Sequence, residues 1–265
     1  MKILNVVAHE DDDLLFLSPP LLQFIGRGDS ITTLYLTAGD DGLDAAYWRG
    51  REQGAKAAYA SMLGGGEVSW TDATVSAVRG AAELPSATAQ TGGVELIFVR
   101  LPDGNVDGSG FASTGNQSLK KLLAGDIAAM TTVDGSRSYS SAELRATIAG
   151  VVTQTAPDLV MLQDFIHANA GPTWSDHADH LAGSEFAFWA VAQSGVHTVV
   201  TAWEGYQAGS SQAANISNAS LLAAKEATFA AYYAHDDQVV PTATDWGGTY
   251  GAWLPRACPT GQYIF

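Results

Sequence analysis

Apolar residues along this chain fall in short runs, set off by acidic or glycine-rich punctuation. Ile3–Ala8 (ILNVVA) is continuous and β-branched, which predicts a strand buried in a parallel sheet. Ser30–Thr37 (SITTLYLT), Val94–Leu101 (VELIFVRL), Asp158–Gln163 (DLVMLQ) and His197–Trp203 (HTVVTAW) read the same way, and Glu67–Trp70 is a shorter candidate. Helical stretches lie between them. These are Leu14–Ile25, Tyr47–Leu63 with its stop at Gly64-Gly65-Gly66, Ser141–Thr155, Asp176–Ser194 and the Ala-rich Leu221–Ala234. Ser140 or Ser141 is placed to cap the third of these, and Pro157 lies just past its end.

Strand and helix alternate, so the expected class is α/β. The pattern predicts a Rossmann-like three-layer sandwich, with a mainly parallel sheet and helices on both faces. Such sheets bind ligands beyond the carboxyl ends of their strands. Ser69–Gln90 and Asp103–Ser140 are rich in Gly, Ser, Thr and Ala, and predict hairpins or loops near the mouth of a site. There is no internal repeat or long linker, so residues 1–265 are expected to form one domain. The abrupt apolar ending ACPTGQYIF is compatible with a trimmed extension, and the opening Met with a removed leader.

Composition narrows the classes. The chain is 46% hydrophobic and 15% charged, as a globular protein is. Its 28 acidic and 13 basic residues give a net charge of −15, with no stretch that concentrates Lys or Arg. A nucleic acid or an anionic membrane is therefore not an expected partner, and no run is long enough to insert into a bilayer. Cys258 is the single cysteine, which excludes an internal disulfide or a thiolate metal site.

The candidate chemistry sits where strands end. The first strand runs into His9-Glu10-Asp11-Asp12-Asp13. Four successive carboxylates repel one another, and a bound cation relieves that repulsion. A solvated loop capping the next helix is the plainer reading. The second cluster, Asp176-His177-Ala178-Asp179-His180, opens a predicted helix, and on a helix His177 and His180 share a face. Both clusters follow strands of one sheet, so they are expected to converge. A His, a carboxylate and a second His form a zinc ligand set with a position left open, and the remaining carboxylates and histidine suit proton transfer and oxyanion support. Spacing does not decide which neighbour ligates: Asp11 or Asp13 competes with Asp12, and His177 with His180. Trp174 offers an aromatic face near the second cluster, as do Tyr47 and Trp48 elsewhere. His167 and His197 read as structural; His235-Asp236-Asp237-Gln238 reads as a plain helix end, with a segment near the site as the alternative.

AHEDDD at 8–13 resembles the A-H-P-D-D-E signature of the PIG-L/LmbE family of zinc-dependent N-deacetylases, and HADH at 177–180 its H-x-D-H. LTAGDDG at 36–42, the Arg51-Glu52 helix stopping at Leu63-Gly64, and LPDG at 101–104 resemble further family landmarks in the right order. The likeness covers roughly residues 3 to 200. It implies a Zn²⁺ ion, or another divalent ion, on His9, Asp12 and His180. It also implies Asp11 as the general base that activates water, His177 as support for the tetrahedral intermediate and leaving amine, and Asp179 as orienter of a histidine ring. Arg51 and Asp103 fall near sugar-contacting positions, although Arg49 competes for the first. Glu10 replaces the family proline, which removes a φ restraint, and Asp13 is one methylene shorter than the family Glu. The implied activity is removal of an acetyl or other acyl group from an N-acylated amino sugar, free or in an oligosaccharide. Alternatives are a carbohydrate-binding protein with a vestigial metal site and a metal-dependent esterase. AHEDDDLLFL, YWRGREQGAKAAYASMLG and QDF at 163–165 resemble a bacterial and fungal branch often found outside the cell, so an extracellular location is favoured over a cytoplasmic one.

Overall fold

The computed structural model describes residues 1–77, 83–167, 176–239 and 248–265. The chain begins with β1 (Lys2–Val7), α1 (Asp12–Leu15), α2 (Pro20–Gly26), β2 (Ser30–Thr37) and α3 (Ala45–Met62). There follow β3 (Trp70–Ser76), β4 (Glu83–Ala89), β5 (Val94–Leu101), α4 (Leu119–Ala124), β6 (Met130–Thr131), β7 (Ser138–Tyr139), α5 (Ser141–Thr155) and β8 (Leu159–Gln163). The last described elements are α6 (Ala178–Ser194), β9 (Val199–Trp203), α7 (Ala208–Ser211), α8 (Ala219–Tyr233), α9 (Gly248–Trp253) and β10 (Pro259–Ile264).

The main sheet has the order β10-β9-β8-β1-β2-β5-β4-β3. Its centre, β9-β8-β1-β2-β5, is parallel throughout. β10 pairs antiparallel with β9, β4 with β5, and β3 with β4. Alternate strand residues feed two cores. Leu4, Val6, Leu34 and Leu162 pack with Leu144, Ile148 and Phe186 of α5 and α6. Ile3, Val7, Tyr35 and Met161 pack on the other face with Leu14, Tyr59 and Phe229 of α1, α3 and α8. Burial on both faces explains the continuous apolar runs of the central strands. The α/β sandwich with helices on both faces is thus the observed architecture.

Several local expectations hold in detail. α5 spans Ser141–Thr155, and Ser140 forms a capping box with Glu143, a device that stabilises by about 1 kcal/mol. Two differ. The expected Leu14–Ile25 helix is split into α1 and α2, because Pro19 and Pro20 interrupt the hydrogen-bond ladder. Ser69–Gln90 forms a hairpin that extends the sheet edge, and none of its described residues lines the pocket described below. Asp103–Ser140 does reach that pocket, through Asp103, Asn105, Val106 and Phe111. Among the described residues no helix is long and apolar enough to cross a membrane.

The topology fixes where chemistry can occur. The chain steps outward from β1 to β2 to β5, then returns to β8 and β9 on the opposite side of β1. Strand order reverses between β1 and β8, and loops leaving their carboxyl ends part there to open a crevice. His9–Asp13 leaves β1 at that point, and the start of α6 follows β8.

Candidate active site

The sharp turn from β1 into α1 brings the acidic run inward. Asp12 Oδ2 accepts the backbone N–H of His9 at 2.7 Å. Asp11 holds the N-cap position of α1, yet its side chain makes no capping bond and stays available to the pocket. Asp13 turns to the opposite side and accepts hydrogen bonds from the Tyr59 and Tyr35 hydroxyls at 2.6 and 3.1 Å. Burial pushes its carboxyl up to about 7. Asp13 thus braces the base of the turn from the core side.

The second cluster arrives on the first turn of α6. His177 is the N-cap, and its Nδ1 accepts the Asp179 N–H at 3.2 Å. His180 is fully buried, with Nδ1 2.9 Å from Asp176 Oδ1 and Nε2 3.0 Å from Asp12 Oδ1. His9 Nδ1 lies 3.4 Å from Asp12 Oδ2, so Asp12 spans both rings. The three imidazoles converge, with centroids 4.6 Å (His9–His177), 5.3 Å (His9–His180) and 5.2 Å (His177–His180) apart.

These residues fit a divalent cation. Ligand nitrogens of His9, His177 and His180 all lie within 4.8 Å of one another, and a second grouping joins His9 and His177 to Asp103 and Asp179. His9 Nε2, His180 Nε2 and Asp179 Oδ1 are buried without an aligned hydrogen-bond partner. Two ligands of a tetrahedral zinc stand about 3.3 Å apart, given bond lengths of roughly 2.0–2.1 Å. The separation of His180 Nε2 from Asp12 Oδ1 is close to that. Electrostatics agree. Burial opposes charge on His9 and His180, but the adjacent carboxylates outweigh it, raising His9 well above its ordinary value and His180 to about 9. Burial likewise opposes charge on Asp12, yet His180 and His9 hold it well below the carboxylate range. The cluster stabilises extra positive charge, which a metal ion supplies without protons. His177 differs: burial and the nearby His9 push it down to about 3.

Around this centre stand residues with distinct surroundings. Asp179 Oδ2 accepts the Gly104 N–H at 2.7 Å and lies 3.6 Å from His9 Nε2. A Cβ at residue 104 would collide with that carboxylate, so the P-D-G loop needs its glycine. Asp103 presents one oxygen 3.6 Å from His9 Nε2 and the other 3.8 Å from His177 Nε2. Arg51 is buried and fully engaged. It donates to Tyr232 Oη, Gly39 O and Asp11 Oδ1 at 2.6, 2.7 and 2.7 Å, and lies 3.2 Å from Asp236. Trp174 lies outside the described residues. Tyr47 lines the pocket and donates to Asp236 at 2.9 Å. Trp48 is buried beneath Arg49 and Arg100.

Three features escaped the sequence reading. Asp176 makes the close contact to the His180 ring, although the resemblance pointed to Asp179 as a ring orienter; the i, i+4 spacing across a helix start could have flagged it. Asp236, for which a plain helix end is the favoured reading and a segment near the site the alternative, lines the pocket, is buried and accepts from Tyr47 and Tyr232 beside Arg51. Glu10 is wholly buried with neither carboxyl oxygen hydrogen-bonded, and burial pushes it up to about 8. His167 and His197 lie outside the pocket.

The family model described as PIG-L, GlcNAc-PI de-N-acetylase, matches residues 4–191. The chain belongs to this family. Among solved structures, a deacetylase–bog complex from teicoplanin biosynthesis is similar at TM-score 0.51 and 14% identity, covering 88% of this chain and 84% of that one. The A40926 pseudoaglycone deacetylase Dbv21 is similar at TM-score 0.48 and 14% identity, covering 87% and 81%. GalB, the 4-carboxy-2-hydroxymuconate hydratase from Pseudomonas putida KT2440, is similar at TM-score 0.42 and 14% identity, covering 88% and 84%. Comparison with curated proteins gives no significant match. Family membership accounts for the ordered motifs, and the shared fold accounts for their meeting at the β1/β8 crevice.

The Arg51–Asp236 contact yields a prediction. Asp236 adds negative charge near Asp11 and so helps raise its carboxyl, which burial raises first and Arg51 opposes. Asp236→Asn is expected to lower kcat roughly 10- to 100-fold through misplacement of Arg51 and Asp11. With Asp11 as the general base that the family resemblance implies, the acidic limb of the pH profile should move to lower pH, because Asp11 loses a neighbouring anion. A rate loss with an unmoved profile would leave Asp236 a purely structural role.

Proposed function

We propose that this chain is a zinc-dependent N-deacetylase acting on an N-acylated amino sugar, with His9, Asp12 and His180 as metal ligands. The observation that carries the reading is the buried convergence of His9 and His180 on Asp12, with Asp11 and His177 flanking it at one pocket. A zinc ion held there would supply a Lewis acid and lower the pKa of water to about 7.

The protein groups divide the remaining work. Arg51 takes Asp11 Oδ1 and fixes the carboxylate, so its other oxygen serves as general base toward water in the pocket. His177 uses Nδ1 as an acceptor within its own helix cap, so in the neutral ring the proton is on Nε2. That N–H suits it to donate to an amide oxygen as negative charge develops. Protonated Asp11 then returns its proton to the departing amine. Asp176 holds the His180 tautomer, and Asp179 and Asp103 face the His9 ring.

The test is an amine-release assay across N-acetylated sugars, run with and without a chelator. Chelator-sensitive release, restored by adding zinc, is expected. No chelator-sensitive release from any sugar would sink the reading.

A further inference from the structure

The pocket is small and acidic. Its volume is about 190 Å³, below the roughly 300–1,000 Å³ common for drug-sized ligands, which suits one sugar ring. Asp11, Asp41, Asp103 and Asp236 all line it, and Asp12 and Asp179 stand directly behind. Arg51 is the one Lys or Arg among the described lining residues. Its guanidinium is already committed to Asp11, Gly39 O and Tyr232. Counting a divalent ion and Arg51 against these six carboxylates still leaves the region negative.

We infer that this site selects neutral or cationic amino sugars and discriminates against sugars carrying a phosphate near the N-acyl group. The inference rests on the deacetylase reading above. A phosphate dianion entering the pocket meets Asp41, Asp103 and Asp236, with no uncommitted side-chain cation among the described lining residues to receive it. Like-charge juxtaposition in a partly desolvated cleft is strongly unfavourable. A free amine on an adjoining sugar meets the same carboxylates favourably. Tyr206 lines the pocket and stacks on Trp253 at 4.6 Å between centroids, which holds a rigid aromatic wall beside it. Such a wall suits an uncharged pyranose face.

The experiment uses the metal-loaded protein and four probes. These are methyl N-acetylglucosaminide, its 6-phosphate, a neutral 6-O-alkyl ether of similar bulk, and chitobiose bearing one free amine. The 6-phosphate should show kcat/KM at least about tenfold below the neutral ether, narrowing as salt is raised, with the amine-bearing probe at or above the parent sugar. Asp41→Asn should raise the phosphate-to-ether ratio severalfold, since Asn tolerates the positive φ of 47° at this position. Equal rates for the 6-phosphate and the ether, with release intact, would overturn the charge inference alone. Equilibrium dialysis with glucosamine and glucosamine 6-phosphate reads the same discrimination without turnover. Absence of release from every probe would therefore count against the deacetylase reading, while equal binding of these two ligands would count against charge selection.

Discussion

Asp11→Asn is expected to lower turnover by about 10²–10⁴-fold while bound metal stays at the wild-type level. The substitution is nearly isosteric, and the amide oxygen can still accept from Arg51, which holds Asp11 Oδ1 at 2.7 Å. An amide cannot take a proton from water, so the loss isolates base catalysis from positioning. Asp11 Oδ1 is taken by Arg51, whereas Asp12 lies between the His9 and His180 rings, so metal content should not follow the rate. Measuring kcat and metal stoichiometry on the same preparation makes the distinction. Near-full turnover would remove Asp11 as the base, and a parallel loss of metal would make it a ligand.

His180→Ala should abolish both zinc retention and chelator-sensitive activity. His180 is fully buried between Asp12 and Asp176, with its ring nitrogens 3.0 and 2.9 Å from their oxygens. Removing the ring leaves two buried carboxylates facing a void, which costs several kcal/mol. The variant is therefore also expected to melt earlier, and circular dichroism must establish that it folds before its metal content is read. Asp176→Asn is the gentler companion. It preserves the volume but withdraws the anion that orients His180, and zinc affinity should fall about 10- to 100-fold. Full zinc occupancy in folded His180→Ala would exclude His180 as a ligand.

Most of the architecture was legible from residue pattern. The continuous β-branched runs became β1, β2, β5, β8 and β9 because parallel strands covered on both faces have no polar alternation to display. The start of α5 was legible because Ser140 and Glu143 satisfy each other's backbone groups locally. Pairings among distant segments were not. Nothing local to ACPTGQYIF indicates that it adds β10 antiparallel to β9, and nothing local to Ser69–Gln90 indicates that its hairpin extends the sheet beyond β5.

Sequence alone therefore determined the α/β class, the two acid-and-histidine clusters and, through the order of its motifs, the family. Those properties are carried by residue type and short spacing. Tertiary structure decided how the titratable groups divide among core, histidine–aspartate cluster and pocket wall. Asp13 turned into the core onto Tyr59 and Tyr35, Asp12 came to lie between His9 and His180, and Asp236 met Arg51 across 185 positions of chain. Consecutive carboxylates look alike in sequence. They become different chemical groups only when folding gives each its own burial and its own neighbours.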